Sequence, residues 1–233
     1  MVTRDLPSFA TKPVQATVVT SNDDVLYLPL GTEHIEGAAH CIASSFTTSE
    51  PMCRALGIAY EDFLPFSRLM AVKAAKEGLS QVVVRGSGTH RVVCASINED
   101  FCAPLPEEAV VGFPHLSPIL TLLNALDERY QTTSKPSLGE AFHVVVGGSL
   151  PGEEHKGHGK RVMEQGLSIA RLHGFRRIVS HLSNAATQQV YVQRLGLAIV
   201  AEIVYRDFEL DGARPFADIE SPRSCIMVEG VLG

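Results

Sequence analysis

The densest group of chemistry-bearing residues is the run Glu154-His155-Lys156-Gly157-His158-Gly159-Lys160. It follows the apolar stretch Phe142-His143-Val144-Val145-Val146, which reads as a strand buried on both faces, and it opens a stretch over 157–172 that reads as a helix. A strand, a short glycine loop and a helix start make an anion site, because unpaired backbone N–H groups and the positive end of the helix dipole converge there. Gly157 and Gly159 let the backbone approach a pyrophosphate with no Cβ in the way, and Lys156, Lys160 and Arg161 add charge. A dinucleotide fingerprint is disfavoured, since its third glycine and downstream acidic residue are missing. A P-loop is disfavoured because no Gly-Lys-Ser/Thr occurs. His155 and His158, beside Glu153 and Glu154, supply too few ligands in fixed geometry for a metal and read as the surface of the loop.

The elements that position this loop alternate between the two periods. Residues 25–30 read as a strand ended by Pro29 and Gly31, then 33–46 as a helix capped by Thr32, with Ile35, Ala38, Ala39, Ile42 and Phe46 on one face. The polar break Thr47-Thr48-Ser49-Glu50-Pro51 follows, then a helix over 63–77 stopped by Gly78. Residues 81–84 and 91–97 read as a hairpin around Gly86-Ser87-Gly88, and 116–130 as a helix with Ile119, Leu120, Leu123 and Leu126 on one stripe. After the glycine loop come a strand over 177–180, a helix over 185–194, a strand over 197–208 and a closing strand over 225–231. The order β-α-α-β-β-α-β-α-β-α-β-β predicts an α/β fold, a mixed sheet with helices on both faces. Residues 101–115, rich in proline, stay unassigned as a substrate-side loop or a connection.

The 233 residues are 45% hydrophobic and 20% charged, as in an ordinary globular protein. A net charge of −6 argues against a nucleic-acid partner and is compatible with a cationic small substrate. Residues 1–21 lack the apolar core of a signal peptide, and no stretch approaches the ~20 apolar residues of a membrane span, so the expected location is cytoplasmic with no membrane partner. Cys41, Cys53, Cys94, Cys102 and Cys225 show no redox or zinc spacing and read as reduced thiols.

The glycine loop resembles the coenzyme A motif of the GNAT acetyltransferase superfamily: Arg or Gln, two residues, Gly, one residue, Gly or Ala, with a Pro upstream. Gly157, Gly159 and Pro151 fall where that motif wants them, while Glu154 departs from its first position. Beside a pyrophosphate an acidic side chain repels, so Glu154 is expected to turn outward and binding to rest on backbone donors of residues 155–160. The resemblance continues through Gly174-Phe175-Arg176-Arg177-Ile178 and from Asn184 to Leu197. It implies one domain over residues 23–233 after an extension at 1–22, with a mostly antiparallel sheet splayed between the fourth and fifth strands. It also implies acetyl-CoA held by Gly148, Ser149, Leu150, His155, Lys156, Gly157, His158, Gly159, Lys160 and Asn184. A backbone N–H among residues 147–150 is the expected oxyanion donor. The family's tyrosine, placed to protonate a departing thiolate, falls on Tyr191 counted from Asn184 and on Val192 counted back from Gly196. Only Tyr191 has the hydroxyl, and packing the helix on the sheet is its other reading.

Outside the cofactor motif the chain looks like the dopamine and arylalkylamine N-acetyltransferase branch, through Phe46 with Ser49-Glu50-Pro51-Met52, Lys76-Glu77-Gly78-Leu79-Ser80, and Glu202 to Phe208 with Asp211-Gly212 and Phe216. That branch assigns the Glu of the Glu-Pro turn as general base, so the resemblance implies Glu50. A protonated alkylamine cannot attack a thioester until a base takes its proton. His143 is the rival base, and a helix cap is the plain structural role for Glu50. The expected reaction is direct acetyl transfer to a small primary amine in a ternary complex. Acetylation of protein or peptide amines and acyl-CoA sensing without catalysis are the alternatives, and a homodimer is left open.

Overall fold

The computed structural model describes residues 25–86 and 91–233; the expected extension at 1–22 and residues 87–90 of the predicted hairpin turn lie outside them. Strands β1 (Val25–Pro29), β2 (Gln81–Arg85), β3 (Arg91–Asp100), β4 (Ala141–Ser149), β5 (Arg177–Leu182), β6 (Ala198–Val204) and β7 (Ser224–Val231) form one seven-stranded sheet in the order β1-β2-β3-β4-β5-β7-β6. Among the described residues only β4 and β5 run parallel; every other pairing is antiparallel. The helices are α1 (Ile35–Ser49), α2 (Pro51–Ala55), α3 (Tyr60–Glu77), α4 (Glu107–Val111), α5 (Ser117–Thr133), α6 (His158–Leu172) and α7 (Ala185–Gln188), the last continuing as a π turn over Gln189–Arg194. The predicted element order stands, with short α2 and α4 added where the sequence shows a polar break and a proline-rich stretch.

Strand alternation sets the two faces. Val82 and Val84 pack with Ala38, Ile42 and Met70 of α1 and α3, whereas Val83 between them packs with Val162 of α6. On β7, Met227 faces Leu122 and Leu126 of α5, while Ile226 and Val228 face the segment that follows β5. One face therefore carries α1, α3 and α5, and the other α6 and α7. Each of these aliphatic side chains contributes about 1.5–3 kcal/mol by leaving water.

Several element ends differ from expectation: α3 begins at Tyr60 and not Phe63, and the strand expected over 197–208 ends at Val204 ahead of a 3₁₀ turn over Tyr205–Asp207. Gly31, not Thr32, caps the first turn, and its N–H donates to Nδ1 of His34 at 3.0 Å. The break expected from Thr47 is helical as far as Ser49, because the hydroxyls of Thr47, Thr48 and Ser49 each donate to the carbonyl four residues back. Glu50 alone separates α1 from α2. At the other end of α3, Gly78 stops the helix in the left-handed conformation, φ 71°.

Candidate active site

Strands β4 and β5 part company early. They pair from Ala141↔Arg177 to Val144↔Ser180, after which β4 continues to Ser149 against β3 and β5 continues to Leu182 against β7. Residues 145–149 of β4 thus present backbone groups to a gap. The ladder fixes which ones. The Leu150 N–H is taken by the Val93 carbonyl at 2.9 Å, so by antiparallel alternation Gly148 also points its N–H toward β3, and Gly147 and Ser149 point theirs into the gap. Of the three residues expected to pair with pantetheine here, Ser149 has its N–H in place; Gly148 and Leu150 have theirs engaged with β3. Gly148 is needed for another reason: a Cβ there would stand 2.7 Å from the Ser45 side chain, so α1 lies directly on the strand. A bulge leaves Val145 without an opposite residue on β3 and turns both Val145 and Val146 toward a cavity.

That cavity, about 320 Å³, lies on the α1/α5 side. Its walls are mainly aromatic and aliphatic, with Phe46, Phe63, Phe66 and Phe101 among them. The proline-rich segment unassigned in the sequence thus contributes to a wall of the cavity, through Phe101, Ala103 and Leu105. Glu50 reaches in from the junction of α1 and α2. Pro51 disfavours helical backbone at the residue before it, and Glu50 is accordingly extended, φ −78° and ψ 124°. Its Oε2 caps α2, accepting the Cys53 N–H at 2.6 Å, while its buried Oε1 has no hydrogen-bond partner. The cap and an unpartnered oxygen are two halves of one carboxylate, 6% exposed, on a residue that lines the cavity.

His143 lines the same cavity from β4. Its Nδ1 lies 3.1 Å from Glu99 Oε1 and its Nε2 lies 3.3 Å from Nδ1 of His181, whose Nε2 is 2.8 Å from Asp127 Oδ1. Glu99 Oε2 in turn accepts from Lys73 Nζ at 2.6 Å, and Lys73 also pairs with Glu77 at 2.8 Å. Burial acts to raise the Glu99 carboxyl, but the hydrogen bond and charge of His143 and the charge of Lys73 outweigh it and hold the group below its ordinary range. Burial pulls His181 below the usual histidine range despite Asp127. The sequence offers His143 as the rival base; Glu99, His181 and Asp127 join it from β3, β5 and α5.

The glycine loop lies at the start of α6. Gly157 caps the helix at φ 83°, and His155 also has a left-handed φ of 62°. A Cβ at Gly157 or Gly159 would meet nothing within 4 Å, so space stands open over the first-turn N–H groups, which have no intrahelical partner. Glu154 bends back to accept the Gly152 N–H at 2.6 Å. Lys156 is bound to Glu153 at 3.0 Å, which Arg85 also holds at 2.8 Å, and Lys160 is exposed with a 3.8 Å contact to Glu164. His158 departs from expectation: it is buried, not surface, and its Nδ1 meets the Tyr27 hydroxyl at 3.1 Å, fastening the helix start to β1. Burial depresses its pKa, so it is neutral at physiological pH. The donor set is backbone N–H groups at a helix start with lysines beside it, which fits the pyrophosphate of coenzyme A.

Tyr191 stands on the opposite face of the sheet from Glu50 and His143, packed with Leu182, Ile226 and Val228. Its hydroxyl lies near Ser180, the last residue of β5 paired to β4, whose own hydroxyl donates to the Val144 carbonyl at 2.8 Å. The hydroxyl therefore sits where the gap begins, and burial pushes its pKa far up and keeps it protonated. Asn184 caps α7, accepting the Ala186 N–H at 2.8 Å, and its Nδ2 points to the Ser49 carbonyl at 3.4 Å. That amide ties the end of β5 to the end of α1 next to Glu50. Burial and the Glu50 carboxylate push the Cys53 thiol far above its ordinary range, which disfavours it as a nucleophile.

No protein-family model matches the sequence, and no curated protein matches it. Solved structures do match in fold. The C-terminal condensation domain of Ebony, in complex with beta-alanyl-dopamine, superposes with a TM-score of 0.79 at 20% identity over 90% of this chain and 99% of its own. Arylalkylamine N-acetyltransferase 2 from Aedes aegypti gives 0.71 at 15% identity, covering 91% and 100%. A polyamine N-acetyltransferase from Drosophila melanogaster gives 0.69 at 19% identity, covering 90% and 100%. The chain therefore has the GNAT acetyltransferase fold expected from the sequence. Among the described residues no helix is long and apolar enough to cross a membrane.

Proposed function

We propose that the protein transfers an acetyl group from acetyl-CoA to a small primary amine by direct attack. The observation that carries this is the placement of an apolar cavity lined by Glu50, whose Oε1 is unpartnered, on one face of the sheet beside the β4–β5 gap and an open anion loop on α6 on the other. Acetyl-CoA supplies the acetyl group as an activated thioester. The N–H groups at the start of α6 hold its pyrophosphate, and those of Gly147 and Ser149 hold its pantetheine arm in the gap. Glu50 Oε1 accepts a hydrogen bond from the ammonium, which relieves the cost of an unpaired buried carboxylate oxygen, and then takes a proton from it. Tyr191, protonated and at the mouth of the gap, donates to the sulfur.

The names of the neighbours, acetyltransferases of arylalkylamines and polyamines, support an amine acceptor. A cavity of about 320 Å³ favours a small molecule over a lysine on a folded protein. Thiol release from acetyl-CoA, followed with tryptamine, dopamine, spermidine and a lysine peptide, tests the reading. Turnover with at least one small amine is expected. Thermal stabilisation by CoA with no turnover on any of them would leave a sensor instead.

A further inference from the structure

Resting on that reading, we propose that His143 and His181, entered through Asp127, form a one-proton store that takes the second of two protons the amine nitrogen must lose. An ammonium gives up one proton before it attacks. Once the nitrogen has bonded to the acetyl carbon it is positive again and sheds another as the carbon–sulfur bond breaks. Tyr191 gives its proton to the sulfur and regains one from solvent, while Glu50 and the store each release the one they took, so the net is one proton released per turnover. Glu50 has a single unpartnered oxygen, so the second proton needs another acceptor on the cavity face.

The four groups are wired in series and not around a common point, which suits a proton rather than a metal. Three contacts join Glu99 to His143, His143 to His181 and His181 to Asp127, and each needs one proton between its two atoms. Ionised carboxylates bring none, and two neutral imidazoles bring two. The neutral pair therefore always leaves one contact with lone pairs opposed, and a third proton completes the chain as one shared imidazolium between two carboxylates. Every ring nitrogen is engaged within the chain, so a proton from the cavity must enter at a carboxylate. The Glu99 end is closed, its side chain 6% exposed and bound to Lys73; the Asp127 side chain is 26% exposed. The charged groups facing the pair are Glu99 from β3 and Asp127 from α5, with Lys73 and Glu77 of α3 behind Glu99. The two adjacent carboxylates favour the third proton; burial and Lys73 oppose it.

His181 and Asp127 are on this account positioning and relay residues, and the store can be read without any substrate. In the whole protein labelled with ¹⁵N-histidine, both rings are expected to titrate together with one midpoint and a total uptake of one proton. Asp127→Asn keeps an oxygen for His181 but removes the charge, and lowers that midpoint by about one pH unit or more. Two separate midpoints, or a midpoint unmoved in Asp127→Asn, overturns the store. If that variant does not fold, His181→Gln serves: His143 then titrates alone against Glu99, and an unchanged His143 titration is the refuting result. With the amine that turns over in the thiol-release panel, kcat/KM should rise with pH through the wild-type midpoint. In Asp127→Asn it should fall about 10²-fold at neutral pH, with its rising limb moved to lower pH. An unshifted limb refutes the catalytic use of the store, whereas absence of turnover with every amine while the rings still titrate as one unit rejects the transferase reading and the catalytic use with it.

Discussion

Glu50 combines two jobs in one side chain, and two substitutions separate them. Glu50→Gln keeps an oxygen to accept the Cys53 N–H now held at 2.6 Å by Oε2, but replaces the unpartnered, basic Oε1 with an amide nitrogen. Glu50→Ala removes both. Losing a helix cap costs about 1 kcal/mol, and in a chain of this size that lowers Tm by about 2–4 °C. The Ala variant should show that loss and the Gln variant should stay within about 1 °C of wild type by thermal circular dichroism. Thiol release should fall about 10²-fold or more in both, because the amine's proton acceptor is gone in each. The two readouts thus diverge for Gln and agree for Ala. Full turnover in Glu50→Gln would refute Glu50 as base, and a Gln variant as unstable as the Ala one would refute the division between its two oxygens.

Lys73→Met strands Glu99 without its cation and should cost about 3 kcal/mol in urea unfolding at pH 7. Glu99 is depressed and Lys73 raised in the folded state, so their pairing stabilises above the unfolded carboxyl value near about 4.3 and below the unfolded lysine value near about 10.4. The deficit should therefore shrink on acidification through the Glu99 titration; a deficit unchanged at pH 3 would contradict the assignment. Gly157→Val puts a β-branched residue at φ 83° although the space above is open, so it should cost about 1–2 kcal/mol of backbone strain and weaken CoA about tenfold in a thermal-shift titration. Equal CoA affinity would remove the loop as the phosphate site. Tyr191→Phe keeps the packing and removes the hydroxyl, and should lower kcat about 10²-fold; unchanged kcat would leave Tyr191 a packing role.

Elements governed by local periodicity were legible. The alternation of residues 81–84, the stripe of Ile119 and Leu123 and the stop at Gly78 each identify an element without tertiary knowledge. What was hidden depended on faces and long-range partners. His158 reads as surface because it stands between two glycines, yet the helix start turns it inward onto Tyr27, 131 residues earlier. Tyr191 and Glu50 both attract attention by residue type, but only the sheet shows that they lie on opposite faces of it. Asp127 and His181 are 54 residues apart and sit in no motif. A faint signal existed: β4 and β5 are a parallel pair, and counting alternate residues from Val179 puts His181 on the α5 face that His143 also occupies. Thr47 to Ser49 misled because hydroxyl residues suit loops, and here each satisfies its hydroxyl within the helix.

The lone extended residue between α1 and α2 has a consequence for how this chain can vary over time. Because Glu50 follows directly on fifteen helical residues, inserting or deleting one of them turns everything beyond by about 100° and slides it about 1.5 Å. The carboxylate would then leave the cavity even with every side chain retained. Substitutions along α1 that preserve its buried face are tolerable. A change in the length of α1 is not. Among relatives that keep the Glu-Pro pair, the distance from the end of β1 to that pair should be conserved more strictly than the residues in between.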